Sequence, residues 1–198
     1  GASSAGSREA KEWIDSGVIG KIYKVDCWTN RPVWPQGVPA PTEKQPVPKG
    51  LDWDLWLGTA AVRDYNAAYL PFKWRGFWDF GTGALGDVGC HLIDIPFRTL
   101  NLKYPTDAEC SVASVFSKMW TPDYYPEGCP PSSFITLHFD ATDKSKSPIE
   151  MTWSDGGIRP SHPDIIPAND DIGGKGSANG VLIELCQEMK VEGSLFEK

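Results

Sequence analysis

The 198 residues carry a net charge of -7, from 19 Lys and Arg against 26 Asp and Glu. An acidic chain with no basic run and no zinc-finger or RNA-recognition motif is a poor match for nucleic acid, because phosphate binding needs clustered cations. Hydrophobic residues at 40% suffice for a buried core, and no apolar stretch approaches the roughly 20 residues of a membrane span.

In chain order, Gly1-Ala-Ser-Ser4 lacks the apolar core of a signal peptide. Ser7 to Ser16 is expected as a helix, with Ala10, Trp13 and Ile14 on one face and Gly17 as its stop. Ile22 to Thr29 alternates as a strand. Arg31 to Gly50 holds six prolines and reads as an ordered excursion, because Pro neither extends a helix nor donates to a ladder. Leu51 to Leu57 suggests a helical turn with Trp53, Trp56 and Leu57 inward, followed by an aromatic stretch from Tyr69 to Phe80. Ala84 to Leu100 is the longest helix candidate, with Val88, Leu92, Ile95 and Thr99 as its stripe.

After Pro105 the texture changes to strands: Ala108 to Trp120, Ser133 to Phe139 and Ile149 to Trp153. Pro, Gly, Asp and Lys turns join them, which points to an antiparallel sheet. Gly156 to Gly180 reads as a long loop, and Val181 to Lys198 as a short apolar run with a charged tail. The fold class expected is α+β, an open, mostly antiparallel sheet with helices on one face. Its second face is expected to be apolar enough to drive self-association.

Five cysteines, odd in number and without C-x-x-C, argue against a disulfide framework or zinc site on spacing alone and favour a reducing compartment such as the cytoplasm, with the periplasm as the alternative. Cys27 and Cys110 read as small buried hydrophobes. Nine tryptophans, seven of them before residue 80, suit the lining of a polar-ligand cleft.

The segment richest in chemistry is Gly83-Ala-Leu-Gly-Asp87-Val-Gly-Cys-His91-Leu-Ile-Asp94. On a helix, Asp87, His91 and Asp94 share one face. Glycines at 83, 86 and 89 each cost about 1 kcal/mol relative to Ala in a helix, so close approach of a ligand or backbone is expected there. A carboxylate one turn from an imidazole makes an acid/base pair; the plainer alternative is a surface ion pair. Metal binding by Asp87, His91 and Asp94 lacks a fourth ligand. His138, in a strand, and His162, in a loop, read as structural.

Ile14-Asp-Ser-Gly-Val-Ile-Gly-Lys-Ile22 resembles the junction at which the Rossmann domain of Gfo/Idh/MocA oxidoreductases hands over to the C-terminal domain. Trp28-Thr-Asn-Arg-Pro-Val-Trp-Pro-Gln-Gly37, Leu51-Asp-Trp-Asp-Leu-Trp-Leu-Gly58 and the block from Trp74 to His91 resemble a Trp-rich bacterial branch of that family, over about Ser7 to Pro160. The resemblance implies a hydride passed between NAD or NADP and a sugar or cyclitol hydroxyl. His91 would move the hydroxyl proton and Asp87 would tune it, with Trp34, Trp74, Arg75, Asp79 and Asp94 contacting substrate. It also implies that residues 1–20 end a linker from a preceding dinucleotide-binding domain, and that 21–198 form the substrate domain and self-associate through the sheet.

The chain itself contains no G-x-G-x-x-G after a strand, so no cofactor is expected on these residues alone, and the isolated chain is expected to be inactive. Two rivals remain: a non-catalytic carbohydrate-binding or scaffold module, and a redox-assisted glycoside hydrolase.

Overall fold

A computed structural model describes residues 4–186 of the chain. It opens with α1 (Ala5–Ser16), capped by the Ser4 side chain and ended by Gly17 at φ 73°. Of the expected inward face only Ile14 is buried, while Trp13 is exposed. β1 (Lys21–Thr29) follows, and then the proline-rich excursion. That excursion is ordered by hydrogen bonds to distant backbone: Gly37 N donates to Cys129 O, Gln45 N to Tyr65 O, and Gln36 Nε2 to Pro130 O.

The short α2 (Trp53–Leu57) is capped by Asp52, which accepts from Leu55 N. The expected 17-residue helix is two helices instead, α3 (Gly83–Leu92) and α4 (Asp94–Thr99). Pro96 explains the break: it brings no N–H to the Leu92 carbonyl, so the ladder lapses although Ile93 keeps helical angles of −67° and −27°.

β2 (Asp107–Val112), β3 (Ser133–Phe139), β4 (Ile149–Ser154) and β5 (Asn179–Cys186) complete one sheet in the order β2-β3-β4-β1-β5. Only β1 and β4 run parallel; the other pairs are antiparallel. The expected strand to Trp120 stops at Val112, because Asp123 takes the amide and hydroxyl of Ser117 and folds the chain back. The apolar run from Val181 is the edge strand β5; the charged tail from residue 187 lies outside the described residues.

Alternation sorts the faces. Val25 and Cys27 of β1, Met151 and Trp153 of β4, and Ile135 and Leu137 of β3 meet Leu85, Val88, Leu92 and Leu100 of the helical layer. The opposite face is polar. It carries Lys24 and Asp26 beside Glu150 and Thr152, with Thr136 and His138 beyond them. Lys24 Nζ lies 3.1 Å from Asp26 and 3.0 Å from Glu184, and Thr152 donates to Asp26. Phe134, exposed, and Leu182, opposite Asp26, are its apolar exceptions, and Trp28 is sealed under the 173–180 segment with its indole N–H on Ser177 O. The apolar second face expected from the strands is therefore not there: their hydrophobic side chains are spent on the helical side. Cys110 is likewise exposed rather than buried, because β2 is an edge strand with every residue exposed.

The end of β4 is pinned by a buried carboxylate. Asp155 accepts from Ser133 N at 2.5 Å, Ser133 Oγ at 2.6 Å and the Trp153 indole at 3.0 Å. Three donors compensate the burial of the charge and tie β3 to the turn after β4.

Candidate functional site

Outside the sheet layer a second core gathers the aromatic residues: Trp53, Leu57, Tyr65, Tyr69 and Phe77, flanked by Trp56, Trp74 and Phe80. Trp53 and Trp56 stack at 4.8 Å, while Tyr69 meets both Phe77 and Phe80 edge-on at 5.0 Å. The Trp53 indole donates to Arg63 O at 2.7 Å, so a large ring is buried without stranding its N–H.

α3 leaves this lobe and packs onto the sheet. It starts at Gly83, whose φ of 63° requires glycine; a Cβ there would also crowd Gln36 and Cys129. Cβ atoms at Gly86 and Gly89 would press on the helix's own Thr82 and Leu85 side chains. The expected close approach is thus to neighbouring side chains. With three glycines the helix is held by packing, through Leu85, Val88 and Leu92.

Asp87 and His91 sit one turn apart on α3, as spaced in the sequence. The Asp87 carboxylate takes Arg75 Nε at 2.7 Å. His91 is exposed, and no hydrogen bond joins it to Asp87 or to any other described residue. A simple surface Asp87–His91 ion pair is therefore not what the residues form. Arg75 is clamped as well as paired: its guanidinium lies 4.4 Å from the Phe72 ring, 4.4 Å from Trp74 and 5.9 Å from Trp34, and Nη1 donates to Phe72 O. The aromatic residues thus fix Arg75, and Arg75 fixes Asp87.

The remaining residues expected at the site divide. Trp34 is buried and donates to Gln36, so it supports the Arg75 clamp from below. Asp79 is ion-paired to Arg63, and Asp94 lies 3.9 Å from Arg98 on the next turn of α4. Trp74 and Asp79 line a cleft of about 430 Å³ together with Trp56, Thr59 and Phe80. Arg63 was not legible as a site residue. Its partners Asp79, Tyr69 and Phe80 come from loops with no shared periodicity.

A larger and mainly apolar cavity of about 640 Å³ opens between the start of α3, β2 and the 113–131 segment, with Trp78, Leu85, Cys110, Val112 and Tyr124 on its walls. Neither Asp87 nor His91 lines it. Burial pushes the Cys27 thiol up to about 12 and Cys129 up to about 11, which leaves both poor nucleophiles. Among the described residues no three His, Cys, Asp or Glu side chains are grouped to hold a metal ion. The described residues form no strand–glycine-rich turn–helix unit of the dinucleotide-binding kind: only one strand pair is parallel, and β1 runs into prolines.

A comparison with curated proteins finds no match. A family model described as "Oxidoreductase family, C-terminal alpha/beta domain" matches residues 5–112. The match spans more than half of the chain, from α1 through the aromatic lobe and both α3 and α4 to β2. The chain therefore belongs to the Gfo/Idh/MocA oxidoreductase family, with residues 5–112 matching its C-terminal domain.

Proposed function

We propose that this chain is the substrate-binding part of an NAD(P)-dependent oxidoreductase acting on a sugar or cyclitol hydroxyl. The observation that carries the reading is the outer face of α3, where an exposed His91 with no hydrogen-bond partner among the described residues stands one turn beyond a carboxylate already fixed by Arg75. An imidazole that makes no hydrogen bond to the described residues can take or return a substrate proton. The same carboxylate is held by a guanidinium locked among three rings, so it adds field to the site with little freedom to reorganise. The dinucleotide belongs, in this reading, to another domain of the parent protein.

Two measurements test it. In the parent enzyme, His91→Asn keeps the melting temperature and lowers kcat by about 100-fold or more; unchanged turnover removes the catalytic assignment. The chain by itself gives no calorimetric signal with NADH at micromolar concentrations, and tight binding there would contradict the placement of the cofactor elsewhere.

A further inference from the structure

The cleft beside the Asp87–His91 face has a chemistry of its own. Two half-buried indoles, Trp56 and Trp74, border it with Phe80, and Thr59 and Asp79 supply its polar groups. Trp56 is backed by Trp53 at 4.8 Å and 8°, so it is a rigid platform rather than a mobile ring. Arg75 covers one face of Trp74, and a ligand stacking on that indole uses the other. Asp79 is held in place by Arg63, whose guanidinium is itself bonded to the Tyr69 hydroxyl at 3.1 Å and set over Phe80 at 5.3 Å. Arg63 pairs with Oδ2 of Asp79, and Oδ1 has no hydrogen-bond partner among the described residues.

We infer that this cleft is a saccharide-binding subsite for one pyranose ring, separate from the Asp87–His91 face. Indole platforms match the C–H faces of a sugar ring, whose hydrogens are weakly positive against the negative π-face. A carboxylate oxygen with free acceptor capacity matches its hydroxyl donors, and a charged acceptor makes the stronger hydrogen bond. A volume of about 430 Å³ is in the range of small-ligand sites, roughly 300–1,000 Å³. An organic cation would also favour aromatic rings and a carboxylate, but the charge of Asp79 is already balanced by Arg63, so a neutral polyol fits better.

Trp74 links the two places, since it borders the cleft while its neighbour Arg75 holds Asp87. A ligand reaching both would be a glycoside or oligosaccharide rather than a single sugar. This deepens the carbohydrate reading above and rests on it for that longer substrate, whereas binding in the cleft does not depend on His91.

The test is a titration of the 198-residue chain with glucose, galactose, their methyl glycosides and β-linked disaccharides, followed by the indole N–H resonances in NMR. Choline serves as the cationic control. The expected result is saturable binding at millimolar concentrations that moves the Trp56 and Trp74 signals and leaves Trp153 in place. Asp79→Asn and Trp56→Ala each weaken it by about tenfold or more; should Trp56→Ala unfold the lobe, Asp79→Asn and the wild-type shifts decide. Silence of Trp56 and Trp74 with every saccharide overturns the subsite, as does unchanged affinity in Asp79→Asn or a stronger response to choline. Neither cofactor nor turnover enters this titration, so its failure leaves the His91 kinetics untouched, and failure of those kinetics leaves the subsite standing.

Discussion

The helix-and-sheet layer and the aromatic lobe solve the problem of burial in different ways. In the sheet layer, period-two alternation delivers aliphatic side chains to one face, and α3 and α4 cover them. Each contributes mainly through area removed from water, which is non-directional. The lobe at 31–82 has little regular structure and relies on ring contacts with defined angles, an indole bonded to a carbonyl, and two arginines, Arg63 and Arg75, set over rings. Area can be redistributed when a side chain changes; an oriented ring or ion pair cannot. The residues put forward here for binding stand on the oriented side, and the sheet serves as their platform.

The largest effect should come from breaking the sheet layer. Met151 is wholly buried between β3 and β1, and Met151→Ala is expected to cost about 2–5 kcal/mol through lost transfer energy and a cavity. Against a typical total of about 5–15 kcal/mol, that is a large share, and a urea titration followed by circular dichroism should show the midpoint fall with an unchanged slope. Stability within error of wild type would mean that the sheet does not carry the fold.

A smaller and more local effect is expected in the lobe. Arg63→Met keeps much of the apolar stem but removes the ion pair to Asp79 and the bond to Tyr69. Bonds to charged groups are worth about 1.5–3 kcal/mol, and Arg63 is one-fifth exposed, so solvent screening places the cost toward the lower end. Hydrogen exchange should accelerate at the Trp53 indole and the 63–80 amides, while β3 and β4 amides keep their protection. Equal acceleration in both regions would show a single cooperative unit and erase the contrast between them.

That contrast also sets what was readable beforehand. The sheet was legible because Ile149 to Trp153 and Ser133 to Phe139 alternate with a clear period, and two of its expected strands match β3 and β4 closely. Strand and helix ends were not, since they depend on Pro96 withholding one amide and on Asp123 capturing Ser117. The polarity of the outer face was in principle visible in Lys24, Asp26, Thr136, His138 and Glu150, whose positions alternate with the core residues. For the candidate site, spacing placed Asp87 and His91 one turn apart, as they stand on α3, but it did not give the partner of Asp87. The Arg75–Asp87 pair joins a short helical turn to α3 across a glycine corner, a relation that no periodicity encodes. The Arg63–Asp79 pair is hidden for the same reason.

The smallest effect belongs to the outer sheet face, where a titrating row lies far from the lobe. Asp107, His138 and Glu150 stand opposite one another on β2, β3 and β4. His138 Nδ1 is 2.5 Å from Asp107, and Nε2 is 3.9 Å from Glu150. The hydrogen bond to Asp107, aided by the charges of Asp107, Glu150 and Glu109, raises the imidazole above its usual 6.5, and the same bond lowers Asp107 below 3.8. For a base whose folded pKa is raised, the stabilisation is complete below the unfolded value and fades as pH climbs through the folded one. For Asp107 the lowered value means stabilisation above 3.8 that fades only in stronger acid. The pair thus helps most from mildly acidic pH to near 6.5 and lets go above it. His138→Gln should flatten the fall in melting temperature as pH rises above 6.5. High salt should flatten it in the wild type too, because both groups are solvent-facing and such pairs are weak and screened. A wild-type profile that keeps its slope in the glutamine variant would assign the titration to another group.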